Sequence, residues 1–310
     1  MKSTFLIAFM MWVGLHQNCA QQAKSYPKSD ISFLLMGDFG RHGEYHQKDV
    51  AKQMALTAAE ADIDFIITTG DNIYPKGVAS AQDPAWKSSF EDIYTAHSLH
   101  VNWYPVLGNH DYAGNPQAEI DYSKVSRRWN LPARYYSKTY KLGDGATLLM
   151  AFLDTSPFEL GYYSDAEEPF RSNVAAQDTS AQKKWFTELM SQSKATWKIV
   201  IGHHPLFTSG PRMGRINHVA NSWQKLFEKM GVDFYLAGHE HHLEYNHLNK
   251  KLHHVISGAG SKITPLQTKD KSIFAQSVNG FAAFFIQSKA LEFQFIDESG
   301  NTIFSQKIKK

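Results

Sequence analysis

ISFLLMGDFG, residues 31–40, decides how the rest of the chain is read: an almost wholly apolar run goes straight into Gly37-Asp38. Such a run, bounded by a glycine, reads as a buried strand that turns sharply at its carboxyl end. The same grammar recurs four times. Residues 65–69 run into Gly70-Asp71-Asn72, and residues 101–107 into Gly108-Asn109-His110-Asp111. Residues 197–201 run into Gly202-His203, and residues 233–237 into Gly238-His239-Glu240-His241. Between the early strands, residues 44–61 carry Val50, Met54, Leu56 and Ala58 at helical spacing, and Pro84 opens a second expected helix over 84–95. Strands alternating with helices predict βαβ units, whose sites form outside the carboxyl ends of the strands.

Outward from this frame, residues 134–142 and 146–153 flank Gly143-Asp144-Gly145 as an antiparallel hairpin. The last third turns strand-rich, at 252–256, 280–286, 291–296 and 302–308, so an antiparallel section joins the α/β part. Residues 112–133 and 155–177 read as long loops that follow strand ends facing the expected site. Hydrophobic residues make up 43% of the chain and charged residues 20%, which excludes a disordered chain. A formal charge of +2 gives no field for nucleic acid or an anionic membrane. Residues 1–20 read as a signal peptide, with Lys2 ahead of an apolar stretch too short to span a bilayer. Cleavage after Ala20 removes Cys19, the only cysteine, so an exported mature chain has no disulfide. Lipidation of Cys19 is disfavoured by its neighbours Gln17 and Asn18. Residues 21–29 follow as a short linker, and residues 30–310 as one catalytic domain.

Asp38, Asp71, Tyr74, Asn109, His203, His239 and His241 all fall at or just beyond strand ends. They mix carboxylate, phenol, amide and imidazole, a donor set that suits iron, zinc or manganese. Seven donors exceed what one ion needs, whereas two ions bridged by a carboxylate are the arrangement of two-metal phosphoester hydrolases.

Taken in order, the five blocks Gly37-Asp38-Phe39-Gly40, Gly70-Asp71-Asn72-Ile73-Tyr74, Gly108-Asn109-His110-Asp111, Val200-Ile201-Gly202-His203 and Gly238-His239-Glu240-His241 resemble those of the purple acid phosphatases, a branch of the calcineurin-like metallophosphoesterases. Gly40 stands where most metallophosphoesterases carry a histidine, and Tyr74 supplies a replacement. The length resembles the small, mammalian-type members. The resemblance implies a four-layer α/β/β/α sandwich of two mixed sheets flanked by helices. It also implies Fe(III) held by Asp38, Tyr74, His241 and bridging Asp71. A divalent ion (iron, zinc or manganese) would take Asp71, Asn109, His203 and His239. His110 is then the catalytic acid or phosphate contact, Asp111 is a structural turn residue or orients a ligand imidazole, and His204 and Arg212, with Arg215, border the substrate. The mammalian-type pattern places a second histidine in the loop after the fourth block, and residues 206–211 contain none. Glu240 is expected to point into solvent, and His242, His247, His253 and His254 to pack or line the rim. The function implied is acid hydrolysis of small phosphomonoesters by a monomer, with no nucleic acid and no stable membrane insertion. A phosphodiesterase or nucleotide hydrolase on the same core, and a non-catalytic iron-binding protein, are the competing readings.

Overall fold

The computed structural model describes residues 26–164, 167–214, 217–249, 251–268 and 272–310. The expected signal peptide, the cleavage site, Cys19, most of the linker and Arg215 lie outside the described residues. Thirteen strands are described: β1 (Ile31–Met36), β2 (Phe65–Thr68), β3 (Asn102–Pro105), β4 (Tyr136–Lys141), β5 (Thr147–Phe152), β6 (Trp197–Ile201), β7 (Phe234–Ala237), β8 (Leu243–His247), β9 (His253–Ser257), β10 (Phe274–Gln276), β11 (Gly280–Ile286), β12 (Ala290–Asp297) and β13 (Thr302–Lys309). They form one sheet in the order β13-β12-β11-β1-β2-β3 and another in the order β10-β8-β9-β7-β6-β5-β4.

The parallel strands β1, β2 and β3 end on one edge of the first sheet, and β5, β6, β7 and β9 run parallel in the second. β1 and β2 are buried on both faces, as their near-continuous apolar sequences require. In the second sheet the period-2 alternation divides each strand between two cores. Met150, Ile199 and Phe234 face the first sheet, whereas Leu149, Val200 and Tyr235 face the helices Thr179–Gln192 and Asn217–Met230. Between the sheets Phe65, Phe33, Phe284 and Phe293 stack in a row, with ring centroids 4.7–5.4 Å apart, and Phe234 meets this row edge-on. The helix Gln47–Ala61 closes the first sheet through Val50, Met54 and Ala58, while Leu56 of the expected apolar face is exposed. The result is the four-layer α/β/β/α sandwich.

The two expected loops carry helices at Pro116–Tyr122 and Phe170–Ala175. The expected helix at 84–95 is a short turn, Pro84–Trp86, running into a wider one, Lys87–Glu91. The hairpin 134–153 is the β4–β5 edge of the second sheet, its turn made by Asp144 and Gly145 at positive φ. β8 and β10 were not expected.

Candidate metal centre

Five strand ends converge between the two sheets. Gly70 and Gly108 allow the approach: a Cβ on Gly70, itself at φ +89°, would sit 2.7 Å from Nδ1 of His203, and one on Gly108 would sit 2.2 Å from Oδ1 of Asp71. Asp38, Asp71 and His239 adopt left-handed backbone conformations, with φ of 58°, 51° and 69°. Such conformations cost energy in non-glycine residues and concentrate at functional sites.

All seven expected metal-ligating side chains come together, in two groups. In the first, the hydroxyl of Tyr74 lies 2.8 Å from Oδ2 of Asp71, 3.0 Å from Oδ1 of Asp38 and 3.2 Å from Nε2 of His241. Nε2 of His241 is in turn 3.2 Å from Oδ1 of Asp38. In the second, Nε2 of His203 lies 3.0 Å from Oδ1 of Asn109, 3.0 Å from Nδ1 of His239 and 3.4 Å from Oδ1 of Asp71. Each oxygen of Asp71 therefore faces a different group. The loops of the first sheet supply every oxygen donor, and those of the second sheet every nitrogen donor.

These residues fit a pair of cations. An ion about 2.1 Å from each of two donors at right angles holds those donors about 3 Å apart, which is the spacing within both groups. Asp38 and Asp71 are fully buried, and their neighbours in the first group are a phenol and an imidazole rather than Lys or Arg. Buried carboxylates are normally paired or bound to metal. His203 is oriented by Thr69, whose carbonyl lies 2.7 Å from Nδ1, leaving Nε2 as the donor to an ion.

The electrostatics agree. Burial opposes charge on Asp71, but His203 and His110, the His110 amide and the Tyr74 hydroxyl outweigh it and hold the carboxyl below its ordinary range. Burial, then Asp38 and Asp71, push the Tyr74 phenol well above its usual value, with Arg41 opposing. Burial, followed by the nearby His204 and Arg212, holds the His239 imidazole well below its usual range.

His110 lies over the first group, its ring centroid 4.4 Å from that of Tyr74. Its amide donates to Oδ1 of Asp71 at 2.8 Å, and Nδ1 sits 2.6 Å from the carbonyl of Pro75, so Nε2 is the nitrogen left for a ligand. His204 is buried beside His203 and His239; Nδ1 lies 2.8 Å from Oγ1 of Thr155 and Nε2 2.9 Å from the hydroxyl of Tyr162. Arg212 is half-exposed and donates from Nη1 to the carbonyl of His239 at 2.9 Å.

Asp111 does not orient an imidazole: it accepts from the amides of Gly108, Asn72 and Ile73 and so clamps two ligand loops together. Burial, then the adjacent Glu119 and Asp71, push its carboxyl well above the ordinary range, with the Gly108 amide opposing. Glu240 is buried rather than solvated, because the loop at Gly210 folds over it and the Arg212 amide donates to it at 3.1 Å. His242 and His254 are buried behind the site, His242 on Glu244 and His254 stacked on Tyr235. Arg41 went unnoticed in the sequence, although it follows Gly40 directly; its guanidinium covers the Tyr74 ring at 3.4 Å. Thr69 and Thr155 were missed as well.

The sequence profile of the family described as calcineurin-like phosphoesterase matches residues 31–243. Purple acid phosphatase 7 of Arabidopsis thaliana is 33% identical, over 91% of this chain and 88% of its own. Tartrate-resistant acid phosphatase type 5 of Rattus norvegicus is 29% identical, over 90% of each chain. Among solved structures, GAP50, described as the anchor in the inner membrane complex of Plasmodium, superposes with a TM-score of 0.78 at 23% identity, covering 91% of this chain and 89% of that one. At that identity the likeness is one of fold.

Proposed function

The chain belongs to the calcineurin-like phosphoesterases and, within them, to the purple acid phosphatases, and from that premise we propose that it hydrolyses phosphate monoesters at the centre formed by Asp38, Asp71, Tyr74, Asn109, His203, His239 and His241. The observation that carries this reading is the sharing of one carboxylate, Asp71, between two groups of donors at ligand spacing. A bound pair of cations would supply positive charge for the phosphate dianion and a hydroxide nucleophile below neutral pH.

The chain's own residues do the rest. The phenol- and carboxylate-rich group suits Fe(III), and the imidazole and amide group suits divalent iron, zinc or manganese. Tyr74 would hold a trivalent ion as its phenolate, the form that the Arg41 guanidinium over its ring favours. His110, anchored through Nδ1 on Pro75, presents Nε2 to carry a proton to the leaving oxygen or to hold a phosphate oxygen. Arg212 supplies further N–H groups at the rim. In this reading residues 30–310 act as one catalytic unit, a monomer exported with Gln21 at its terminus. Among the described residues no helix is long and apolar enough to cross a membrane.

The test is to purify the protein, quantify its metals, sequence its N-terminus and assay a monoester and a diester from acid to neutral pH. Two metals per chain and monoester hydrolysis below pH 7 are expected. Preference for the diester would favour a phosphodiesterase, and two metals without hydrolysis of either would favour an iron-binding protein.

A further inference from the structure

Residues 206–211, just after His203 and His204, contain no histidine, so any such substrate contact on the imidazole side of the centre comes from another segment. The hydrogen bonds around Thr155 identify one. Its Oγ1 accepts from the amides of His203 at 3.2 Å and His204 at 3.1 Å, which occupies both of its lone pairs. Its own hydrogen can therefore go only to Nδ1 of His204, 2.8 Å away. That nitrogen is an acceptor, so the ring proton sits on Nε2 and donates to the hydroxyl oxygen of Tyr162 at 2.9 Å. The Tyr162 hydroxyl is thereby left with its hydrogen unspent, and it has no other partner among the described residues.

The hydroxyl is also well placed. A ring nitrogen of His204 lies within 4.8 Å of donor nitrogens of His203 and His239. Tyr162 is partly buried, with its ring packed on Phe170 at 4.6 Å. Burial, then the charges of Asp71 and Glu159, keep the phenol protonated.

We infer that Tyr162 is a substrate-binding residue whose O–H donates to a phosphoryl oxygen on the imidazole side of the centre, and that Thr155, acting through His204, is the positioning residue that fixes the direction of this bond. The inference rests on the phosphatase reading. It divides recognition between His110 over the oxygen-donor group and Tyr162 beside the nitrogen-donor group. A phenol kept protonated in this way binds phosphate without transferring its proton.

The test uses the metal-loaded enzyme, with inorganic phosphate as the probe, measured both by calorimetry and as an inhibitor of p-nitrophenyl phosphate hydrolysis. A hydrogen bond to a charged group of this kind corresponds to roughly tenfold or more in affinity. Tyr162→Phe should weaken phosphate by that factor with metal content unchanged. Thr155→Val should show the same loss, because the His204 proton can then move and turn Tyr162 into a donor toward the ring. Thr155→Ser should restore affinity, and Thr155→Val with Tyr162→Phe should be no worse than either alone. Phosphate affinity within twofold of wild type in Tyr162→Phe would overturn the inference. A normal Thr155→Val beside a weakened Tyr162→Phe would overturn the role of Thr155. If wild type neither bound phosphate nor hydrolysed the ester, the phosphatase reading would fall and this inference with it.

Discussion

His203→Ala and His204→Ala, adjacent and chemically identical changes, should behave as opposites. The His203 ring is fully buried, with Nδ1 on the Thr69 carbonyl and Nε2 3.0 Å from both Asn109 and His239. Its removal takes one of four donors from the second group and leaves a buried carbonyl without its partner. The variant should hold one metal per chain instead of two. Lewis-acid charge on a phosphoryl group is worth several kcal/mol, and a loss of about 4 kcal/mol is about a thousandfold in kcat/KM. Both nitrogens of His204 are taken by Thr155 and Tyr162, so its removal should leave both metals in place and weaken phosphate by roughly tenfold. Elemental analysis of the purified variants, beside kcat and KM for a monoester, separates the two. Two metals in His203→Ala together with one in His204→Ala would refute the assignment of the ligand block.

Tyr74→Phe should abolish the visible absorption of the iron-loaded protein, since only a phenolate donates charge into Fe(III) in that way; an unchanged band would remove Tyr74 from the ligand set. His110→Ala should lower kcat/KM by about a hundredfold or more while metal content changes little, which steady-state kinetics beside metal analysis will check. Burial opposes charge on Glu244, but His242, the Ser209 amide and Ser272 outweigh it and hold the carboxyl at about 2. A carboxyl depressed on folding contributes stability above its unfolded value of 4.5 and loses that contribution as pH falls toward 2. Glu244→Gln should therefore melt lower than wild type at pH 6, and the gap should narrow steadily in melts taken down to pH 3.

The ligand positions were legible because their signal is local: an apolar run, a glycine, then a donor. β1 and β6 were read to the residue for the same reason. β8 was not, because Glu244 and Asn246 are buried there on hydrogen bonds, and hydrophobic patterning cannot distinguish a buried polar strand from a loop. The helix Pro116–Tyr122 did carry a signal, since Asn115 caps it and Pro116 opens it, but it is only seven residues long. Arg41 on Tyr74 and Tyr162 on His204 join residues far apart in the chain, and only the closed fold brings them together. Glu240 was misjudged because strand alternation gives the side of the chain that a residue faces, but not what covers that side.

The division of donors between the sheets has a mechanical consequence. Ions held by oxygens from one sheet and nitrogens from the other would tie the two layers together at the edge where their loops meet. A chain whose only cysteine lies in its expected leader has no covalent tie of this kind. Chelation would then do to this molecule what a reducing agent does to a disulfide-linked one: it would unfasten one edge of two layers that otherwise hold each other through their apolar core and a few hydrogen bonds, such as Ser257 to the Leu35 carbonyl and Trp197 to the Gln287 carbonyl. Amide exchange near the carboxyl ends of β1 and β7 should speed up together when the metals are stripped, while the distant Phe33–Phe284 stack stays protected.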